Sequence, residues 1–358
     1  MRRGRMGLKA LRNKIDKIDK GIVRLLNDRT KIILDIAKIK NKGGRDIYVP
    51  ERESEILRKI SAFSQGPIDD ISLKAIYREI MSSSLQMEKP LMIAYMGPEA
   101  SFSNLAALKK FGSQVGYVAC TSIADVFLEV ERGKADYGVV PIENSIEGAV
   151  THTLDLLVDS DLKICSQVIL DVAHNFLSNS AQAKVKRIYS NPQVFGQCRS
   201  WLLENFPQAE QIEVSSTTRA AQIASKEKNS ACIASLLAAR VYGLKVLARD
   251  IEDSPHNITR FFVISKNDAR PTGRDKTSIL FSIKDKIGAL HEMLIPFKKN
   301  GINLTKIESR PSKKRAWDYY FFVDLKGHKN EPGIRKALAE LDNKCKFLKI
   351  LGSYPVGE

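Results

Sequence analysis

The sequence contains little cysteine and no long hydrophobic run. Its five cysteines are scattered among 358 residues without CxxC or Cys/His ligand spacing, so we expect neither a disulfide framework nor a zinc site. No apolar run approaches the ~20 residues that a transmembrane helix needs. The basic MRRGRM start is followed by an amphipathic helical pattern rather than an apolar signal core, so we expect a cytoplasmic protein with reduced thiols.

Several cofactor motifs are also missing. The sequence has no GxGxxG, no P-loop and no GxSxG elbow, which disfavours dinucleotide binding, nucleoside triphosphate chemistry and serine-dependent acyl transfer. We therefore expect chemistry that uses neither a cofactor nor a metal.

Acidic residues are fewer than basic ones, and the imbalance lies at the two ends of the chain. The formal charge of +16 divides into +9 for residues 1–90, −1 for residues 91–270 and +8 for residues 271–358. The length predicts two to three domains of ~100–200 residues each. A basic excess is typical of proteins that bind nucleic acids or small anions, but for most of the lysines we favour a merely solvated surface.

The first 90 residues show the apolar spacing of helices. Apolar side chains recur at steps of three and four along one seam: Leu8, Leu11, Ile15, Ile18, Ile22, Leu25, Ile32, Ile36 and Ile39. The seam predicts one helix of at least ~30 residues that packs along another helix, in a dimer. Arg29 occupies the one position of this seam that is not apolar. A cation at that position needs an acid or an anionic ligand as its partner.

Two further helices complete an all-α domain over residues 1–90. Gly43-Gly44 is expected to end the first helix, Pro50 to begin the second, and a third helix to run from about Ile71 to Glu88, before a boundary at Pro90. Polar residues suited to a small, multiply charged anion surround the seams: Arg12, Arg29, Lys40, Arg52, Ser84 and Glu88.

The segments LRNKIDKIDKGIVRLLNDR, KIK, PERE and SSSLQME resemble the helical chorismate mutase domain at the front of bacterial prephenate dehydratases. The resemblance implies an intertwined dimer in which Arg12 reaches into the partner's site. It also implies roles in carboxylate binding (Arg29, Arg52), in catalysis at the ether oxygen (Lys40, Glu88) and in hydrogen bonding to substrate (Glu53, Ser84). Val49 stands where some family members have aspartate.

Residues 91–270 alternate short apolar strands with helices, which predicts an α/β domain with a mostly parallel sheet. Polar segments fall at the predicted strand ends, where open α/β sheets bind ligands. These are YMGPEASFS (95–103), PIENSIEGAVTHTLD (141–155), YSNPQVFGQC (189–198), SSTTRAA (215–221) and HNITRF (256–261). Taken alone, Ser216 is most simply a helix N-cap.

Together the five segments resemble prephenate dehydratase, whose two α/β lobes are similar to a periplasmic binding protein with the site in the cleft. The resemblance implies that Thr259 is the general acid assisting loss of hydroxide. The implied substrate-binding residues are Asn144, Ser145, Ser190, Gln197, Thr217 and Arg260, where Arg260 or its neighbours would bind a carboxylate. Asn191 replaces a histidine that is frequent in the family, so we expect no acid role at that position.

A polar stretch over residues 266–274 marks a second boundary, and residues 275–358 follow a βαββαβ pattern typical of a ferredoxin-like fold. Gly288-Ala289-Leu290 and Glu308-Ser309-Arg310-Pro311 resemble the GAL and ESRP elements of an ACT regulatory domain, which binds phenylalanine between paired modules. The implied phenylalanine contacts are Gly288, Ala289, Leu290, Asn303, Leu304, Glu308 and Ser309.

These resemblances predict a bifunctional enzyme that rearranges chorismate to prephenate, converts prephenate to phenylpyruvate for phenylalanine synthesis, and is feedback-inhibited by phenylalanine. We expect at least a dimer, with no nucleic-acid or membrane partner. One alternative is a non-catalytic sensor whose basic helices bind DNA, but the arginines lie on the inner seam and no helix-turn-helix spacing is present. Another is a chain in which only one of the two active domains remains active.

Overall fold

The computed structural model describes residues 7–42, 48–283, 287–312 and 319–356. Two compact units are distinguished by their internal contacts. The first contains the described residues of 1–49, 57–91 and 111–115, and the second those of 50–56, 92–110 and 116–358. No helix in these described ranges is long and apolar enough to cross a membrane.

The first unit is built mainly from three helices, α1 (Leu8–Lys42), α2 (Pro50–Phe63, whose first seven residues fall in the second unit) and α3 (Asp70–Glu88). All three helices were predicted, and the Asp69 side chain caps α3 by accepting a hydrogen bond from the Ser72 amide. The predicted helix end at Gly43-Gly44 lies outside the described residues. The seam of α1 is exposed along its whole length, for example at Leu25 (63%) and Ile39 (68%).

The second unit begins with two sheets and the helices between their strands. The strands are β1 (Met92–Met96), β2 (Gly116–Cys120), β3 (Tyr137–Asn144), β4 (Gly148–Ala149), β5 (Lys163–Asp171), β6 (Asn175–Ser178), β7 (Arg187–Ser190), β8 (Glu210–Glu213), β9 (Ser230–Ala234), β10 (Lys245–Ala248) and β11 (Ile258–Ser265). The helices are α4 (Phe102–Phe111), α5 (Ile123–Glu131), α6 (Thr151–Asp159), α7 (Pro192–Gln197), α8 (Arg199–Asn205), α9 (Thr217–Ala224) and α10 (Leu236–Tyr242), and a 3₁₀ turn covers Gln182–Lys184.

The first sheet has the order β2-β1-β3-β11-β5 with β4 on β3, and the second has the order β10-β6-β9-β7-β8. The prediction of a mostly parallel sheet is wrong. Strand β11 runs antiparallel to both β3 and β5, and β6 runs antiparallel to both β9 and β10. The physical reason is that the chain leaves the first sheet through β5, builds the second sheet, and returns through β11 without the crossover helix that a parallel connection requires.

This return strand creates the candidate site. Because β3 and β11 are antiparallel, the last residue of β3 lies beside the beginning of β11, and Asn144 pairs with Thr259. Two segments more than 100 residues apart in sequence thus meet at one edge of the first sheet.

The C-terminal part of the second unit has the predicted βαββαβ order. It consists of β12 (Asp275–Ser282), α11 (Ala289–Lys299), β13 (Leu304–Pro311), β14 (Tyr319–Lys326), α12 (Pro332–Asp342) and β15 (Phe347–Pro355), and its sheet order is β13-β14-β12-β15. The first two residues of the predicted third strand, 317 and 318, lie outside the described residues.

The two faces of this third sheet contribute to two different cores. Apolar residues of α11 and α12, including Phe297 and Leu341, form a core with Ile279 and Phe281 on one face. On the other face, Leu280 and Tyr354 join the core of the first sheet. Strand β15 lies so close to β5 that a Cβ added at Gly352 would collide with the backbone of Ile164. The first and third sheets therefore share one core.

Candidate active sites

The predicted mutase residues of α1 and α3 meet in pairs. Arg29 donates through Nη1 to Ser84 Oγ at 2.7 Å, and Lys40 Nζ lies 2.9 Å from Glu88 Oε1. The Glu88 side chain is only 6% exposed, and Ser84 is one of two buried residues of α3. These contacts place two cations, a hydroxyl and a carboxylate along one helix pair, which suits an anionic substrate.

The remaining predicted mutase residues make other contacts. Arg12 is exposed on α1, 17 residues before Arg29, so a rise of ~1.5 Å per residue separates their positions by about 25 Å. Arg52 pairs with Glu55 (2.6 Å) and Glu53 with Lys110 (2.7 Å), all within the second unit.

Asn144 and Thr259 meet at the centre of the predicted dehydratase residues. The backbone amides of Ile146 and Glu147 donate to Asn144 Oδ1 at 2.9 and 3.0 Å, which fixes the orientation of the Asn144 side-chain amide. Its Nδ2 therefore donates to Thr259 Oγ1 at 2.8 Å. Since the Thr259 oxygen accepts this bond, its hydroxyl hydrogen is left to donate to another group. Thr259 is only partly buried, so a substrate can reach it.

Several predicted dehydratase residues hold the framework rather than join this pair. The Ser145 hydroxyl donates to the His256 carbonyl (2.6 Å) and accepts from the Ile258 amide (2.9 Å), which clamps the start of β11. The buried Ser190 hydroxyl donates to the Ile233 carbonyl. Thr217 is the first residue of α9 and is half-buried.

Two smaller expectations agree with the local geometry. Ser216 caps α9 by accepting from the Arg219 amide at 3.0 Å. Asn191 caps α7 by accepting from the Gln193 amide, so a structural task accounts for the side chain at this position.

The structure corrects the placement of Arg260. Successive residues of a strand point to opposite faces, so Arg260 turns away from the site where Thr259 lies. It is 6% exposed, and its guanidinium donates to Gln167 (2.9 Å), Glu143 (2.9 Å) and Asp324 (2.6 Å). These partners occupy the donors that a substrate carboxylate would need.

Arg260 is the centre of a network that joins the first sheet to the third. It also donates to the Tyr354 hydroxyl at 2.8 Å, and Ser278 bonds both Asp324 and Tyr354. Lys306 of β13 pairs with Glu143 of β3. Burial raises the pKa of Glu143, but the hydrogen bonds from Lys306 and Arg260 outweigh it and hold the pKa below the ordinary value. We name these residues the Arg260 network.

Acid is expected to weaken the Arg260 network. A carboxylate whose pKa is lower in the folded state adds stability above the unfolded value of 4.5, and that stability is lost as the pH falls towards the folded value. Glu143→Gln should therefore lower the urea concentration at the unfolding midpoint at pH 7. The decrease of this midpoint as the pH falls below about 5 should also be smaller than in the wild type. Glu204→Gln, on an exposed part of α8, is the control for losing one charge, and an equal effect of both substitutions would contradict the prediction.

Two buried residues that bond the predicted dehydratase residues were not predicted. Asn257 lies inside the HNITRF segment and is 3% exposed, and His174 is 2% exposed just before β6. Asn257 connects Asn144 to Gln197 through hydrogen bonds, and His174 bonds the same Gln197 oxygen. Asn257 had a sequence signal in its segment, whereas no motif pointed to His174.

The predicted phenylalanine residues divide between two ends of the third sheet. Gly288 precedes α11 with a φ of +76°, a conformation that favours glycine, and Ala289 and Leu290 begin the helix. The chain then turns back into β13, so Glu308 and Ser309 near the end of that strand lie at the same end of the sheet as Gly288. Asn303 and Leu304 lie at the opposite end, about 15 Å away by helical rise. No group of three metal-binding side chains occurs in the described part of the chain.

Comparison with known proteins agrees with this arrangement. The chain matches chorismate mutase type II over residues 11–89, prephenate dehydratase over residues 93–269 and the ACT domain over residues 277–343. It is 51% identical to the bifunctional chorismate mutase/prephenate dehydratase of Aquifex aeolicus, covering 97% of this chain and 98% of that one, and 45% identical to that of Stutzerimonas stutzeri, covering 97% of both.

A solved structure of prephenate dehydratase from Arthrobacter aurescens in complex with L-Phe is 33% identical, with a TM-score of 0.69 over 74% of this chain and 90% of that chain. The order of the three regions, the nearly complete coverage and the identities lead to one conclusion. The chain belongs to the family of bifunctional chorismate mutase/prephenate dehydratases.

Proposed function

We propose that the chain converts chorismate to prephenate in its helical domain and prephenate to phenylpyruvate in its two-lobed domain, under inhibition by phenylalanine. The observation that carries the dehydratase assignment is the Asn144–Thr259 pair, which presents a hydroxyl donor at the edge of a sheet. The domain bounds that we assign are 1–90, 91–270 and 275–358.

The mutase step is a pericyclic rearrangement, which needs a compact substrate conformation and donors at the breaking C–O bond rather than a nucleophile. Arg29 supports this proposal because its guanidinium bonds Ser84. A substrate carboxylate could replace the Ser84 hydroxyl as the partner of this guanidinium or bind beside that hydroxyl. Lys40 and Glu88, 2.9 Å apart, would face the ether oxygen.

The dehydratase step removes carbon dioxide and hydroxide from prephenate while the ring becomes aromatic. The electron pair of the breaking C–C bond enters the ring, the C–O bond at the opposite position breaks, and the leaving hydroxide takes up a proton to become water. Thr259 would donate a hydrogen bond to this leaving oxygen. A threonine hydroxyl is a weak acid, so its contribution is to stabilise negative charge as it develops.

Two copies of the chain can complete the mutase site and the phenylalanine site, which one copy cannot. The exposed apolar seam of α1 would be covered by a partner helix, and only another copy could bring Arg12 to a site built around Arg29. Likewise, Gly288 of one chain and Asn303 of a second chain could contact one phenylalanine. We therefore assign at least a dimer.

Chorismate, prephenate and phenylalanine are the small molecules assigned to this protein, and no nucleic acid or membrane partner is proposed. The five cysteines are all free thiols, which supports the cytoplasm as its compartment.

The overall function is tested by ultraviolet absorbance on one purified preparation. Chorismate should disappear and phenylpyruvate should form from the same chain without an added cofactor. Stable accumulation of prephenate would overturn the dehydratase assignment, and persistence of chorismate would overturn the mutase assignment.

The Arg260 network supports a route by which phenylalanine inhibits the dehydratase, because Arg260 and Glu143 directly adjoin Thr259 and Asn144 in their strands. Asp324→Asn should still bind phenylalanine, but a ligand in the cleft should change the phenylalanine affinity less. The ratio of affinities with and without that ligand is ~5–150-fold in typical allosteric proteins and should approach one in this variant. The measurement is calorimetric titration of phenylalanine with and without a prephenate analogue. Asp342→Asn at the exposed end of α12 is the matched control, and unchanged coupling in Asp324→Asn would exclude this route.

A further inference from the structure

Resting on the proposed dehydratase function, we propose that His174, Gln197 and Asn257 are positioning residues: they form a one-directional hydrogen-bond relay that keeps the Thr259 hydroxyl hydrogen pointed at the substrate. The relay runs from His174, just before β6 of the second sheet, through Gln197 at the end of α7, to Thr259 in the first sheet. Asn257, immediately before β11, connects the two.

The contacts of the relay are continuous. His174 Nε2 lies 2.8 Å from Gln197 Oε1, and Asn257 Nδ2 donates to the same oxygen at 3.0 Å. Asn144 Nδ2 donates to Asn257 Oδ1 at 2.7 Å and to Thr259 Oγ1 at 2.8 Å. Every donor–acceptor distance falls within the normal range for N–H···O hydrogen bonds.

The direction of the relay is fixed at its first end by the backbone. Two main-chain amides donate to Asn144 Oδ1, and a main-chain N–H cannot act as an acceptor. The Asn144 amide nitrogen must therefore face Asn257 and Thr259. Because Asn257 receives this hydrogen bond on its oxygen, its own nitrogen must face Gln197.

The direction is fixed at the other end by a carboxylate. Gln197 Nε2 donates to Glu147 Oε1 at 3.1 Å, and the neighbouring Gln193 donates to the other carboxylate oxygen at 3.2 Å. An ionised carboxylate only accepts hydrogen bonds, so Gln197 must present its oxygen to His174 and Asn257. Both ends thus require the same orientation of every amide in the relay.

His174 completes this arrangement because its Nε2 must carry the hydrogen. Burial lowers the pKa of His174 despite the hydrogen bond to Gln197, which favours the neutral ring. The Gln197 oxygen that faces Nε2 requires the hydrogen of that neutral ring to be on Nε2. The ring is held by an edge contact with Phe102 at a centroid distance of 5.8 Å. The backbone of His174 is also held, since its amide donates to Glu252 and its carbonyl accepts from Ile251.

Removing the donor at position 174 should therefore lower kcat more than it raises KM. Without it, Gln197 is held only through its bond to Glu147, so its oxygen is a less firmly fixed acceptor for Asn257, and Asn257 in turn holds Asn144 less firmly beside Thr259. His174→Met keeps an unbranched side chain of similar length but has no N–H donor. We expect a decrease of about tenfold in the dehydratase kcat with KM within about twofold, since positioning acts on the transition state.

A conservative substitution separates positioning from structural support. In His174→Gln the amide nitrogen lies the same number of bonds from Cα as the imidazole Nε2, so it can donate to Gln197. This variant should restore kcat to within about threefold of the wild type. In Asn257→Asp the atom facing Gln197 changes from a donor to an acceptor at nearly constant volume, and kcat should again fall by about tenfold.

The experiment is steady-state kinetics of all three variants in the full chain, with the mutase activity and the thermal unfolding midpoint measured on the same preparations. The relay is overturned if His174→Met retains kcat within twofold, or if His174→Gln loses as much as His174→Met. If His174→Met does not fold, the comparison of His174→Gln with Asn257→Asp decides by the same limits. A wild-type chain that forms no phenylpyruvate would instead overturn the proposed function, and the relay with it.

Discussion

Replacing Thr259 by valine is expected to reduce the dehydratase kcat by at least 100-fold while chorismate is consumed at the wild-type rate. Valine keeps the β-branched shape that suits the start of β11 but has no hydroxyl. The leaving oxygen of prephenate then loses its donor, and a positioned proton donor typically contributes ~10²–10⁴-fold. Prephenate should accumulate, because Arg29 and Lys40 belong to α1 in the first unit, whereas Thr259 belongs to the second unit.

Thr259→Ser is the matched control for this prediction. Serine retains the hydroxyl that Asn144 orients, so it should keep a substantial part of the activity that valine loses. The measurement is phenylpyruvate formation from added prephenate, with chorismate consumption followed in parallel. A loss of less than about threefold in Thr259→Val, which corresponds to less than ~1 kcal/mol of barrier, would remove Thr259 from the proposed role.

The helices and the C-terminal fold were predictable because their signals are local. The three- and four-residue spacing over the first 40 residues describes α1, and Pro50 marks the first residue of α2. The βαββαβ order likewise follows from segments long enough to show their period. Short strands were different, since β4, β6, β8 and β10 contain four residues or fewer and show no readable alternation.

Strand direction was not predictable from the same patterns. Buried parallel and antiparallel strands can show the same apolar run, and β11 is buried over most of its length. Its antiparallel direction depends on where the chain re-enters the first sheet, which is a property of the whole topology. This direction is nevertheless what brings Thr259 to Asn144.

The candidate site was predictable in part for a related reason. Asn144, Gln197 and Thr259 lie in polar segments at strand or helix ends, where side chains are available to a ligand. The alternation of side chains along a strand predicts that Thr259 and Arg260 lie on opposite faces of the sheet. Only the packing of the third sheet shows that it covers the face that carries Arg260. His174 was missed because a single histidine beside an apolar strand has no distinguishing pattern.

Replacing Arg29 by alanine is expected to have the opposite outcome to the Thr259 substitution. The mutase kcat/KM should fall by at least 100-fold, about 2.7 kcal/mol, while the dehydratase acts on added prephenate at the wild-type rate. A guanidinium binds a carboxylate through two parallel hydrogen bonds, and alanine would leave a charged substrate group without its partner in a partly buried site. Ser84 can supply only one neutral hydrogen bond in its place.

Two further variants decide what Arg29 contributes. Arg29→Lys keeps the charge but loses the planar fork, so an intermediate activity is expected if bidentate geometry matters and near-complete activity if charge alone is sufficient. Arg24→Ala removes a cation from an exposed position on the same helix and should leave the mutase within about twofold. A specific carboxylate site requires the loss of mutase activity to depend on which arginine is removed. Equal losses in Arg24→Ala and Arg29→Ala would mean that the activity responds to the net charge of the helix, and would contradict a substrate contact at Arg29.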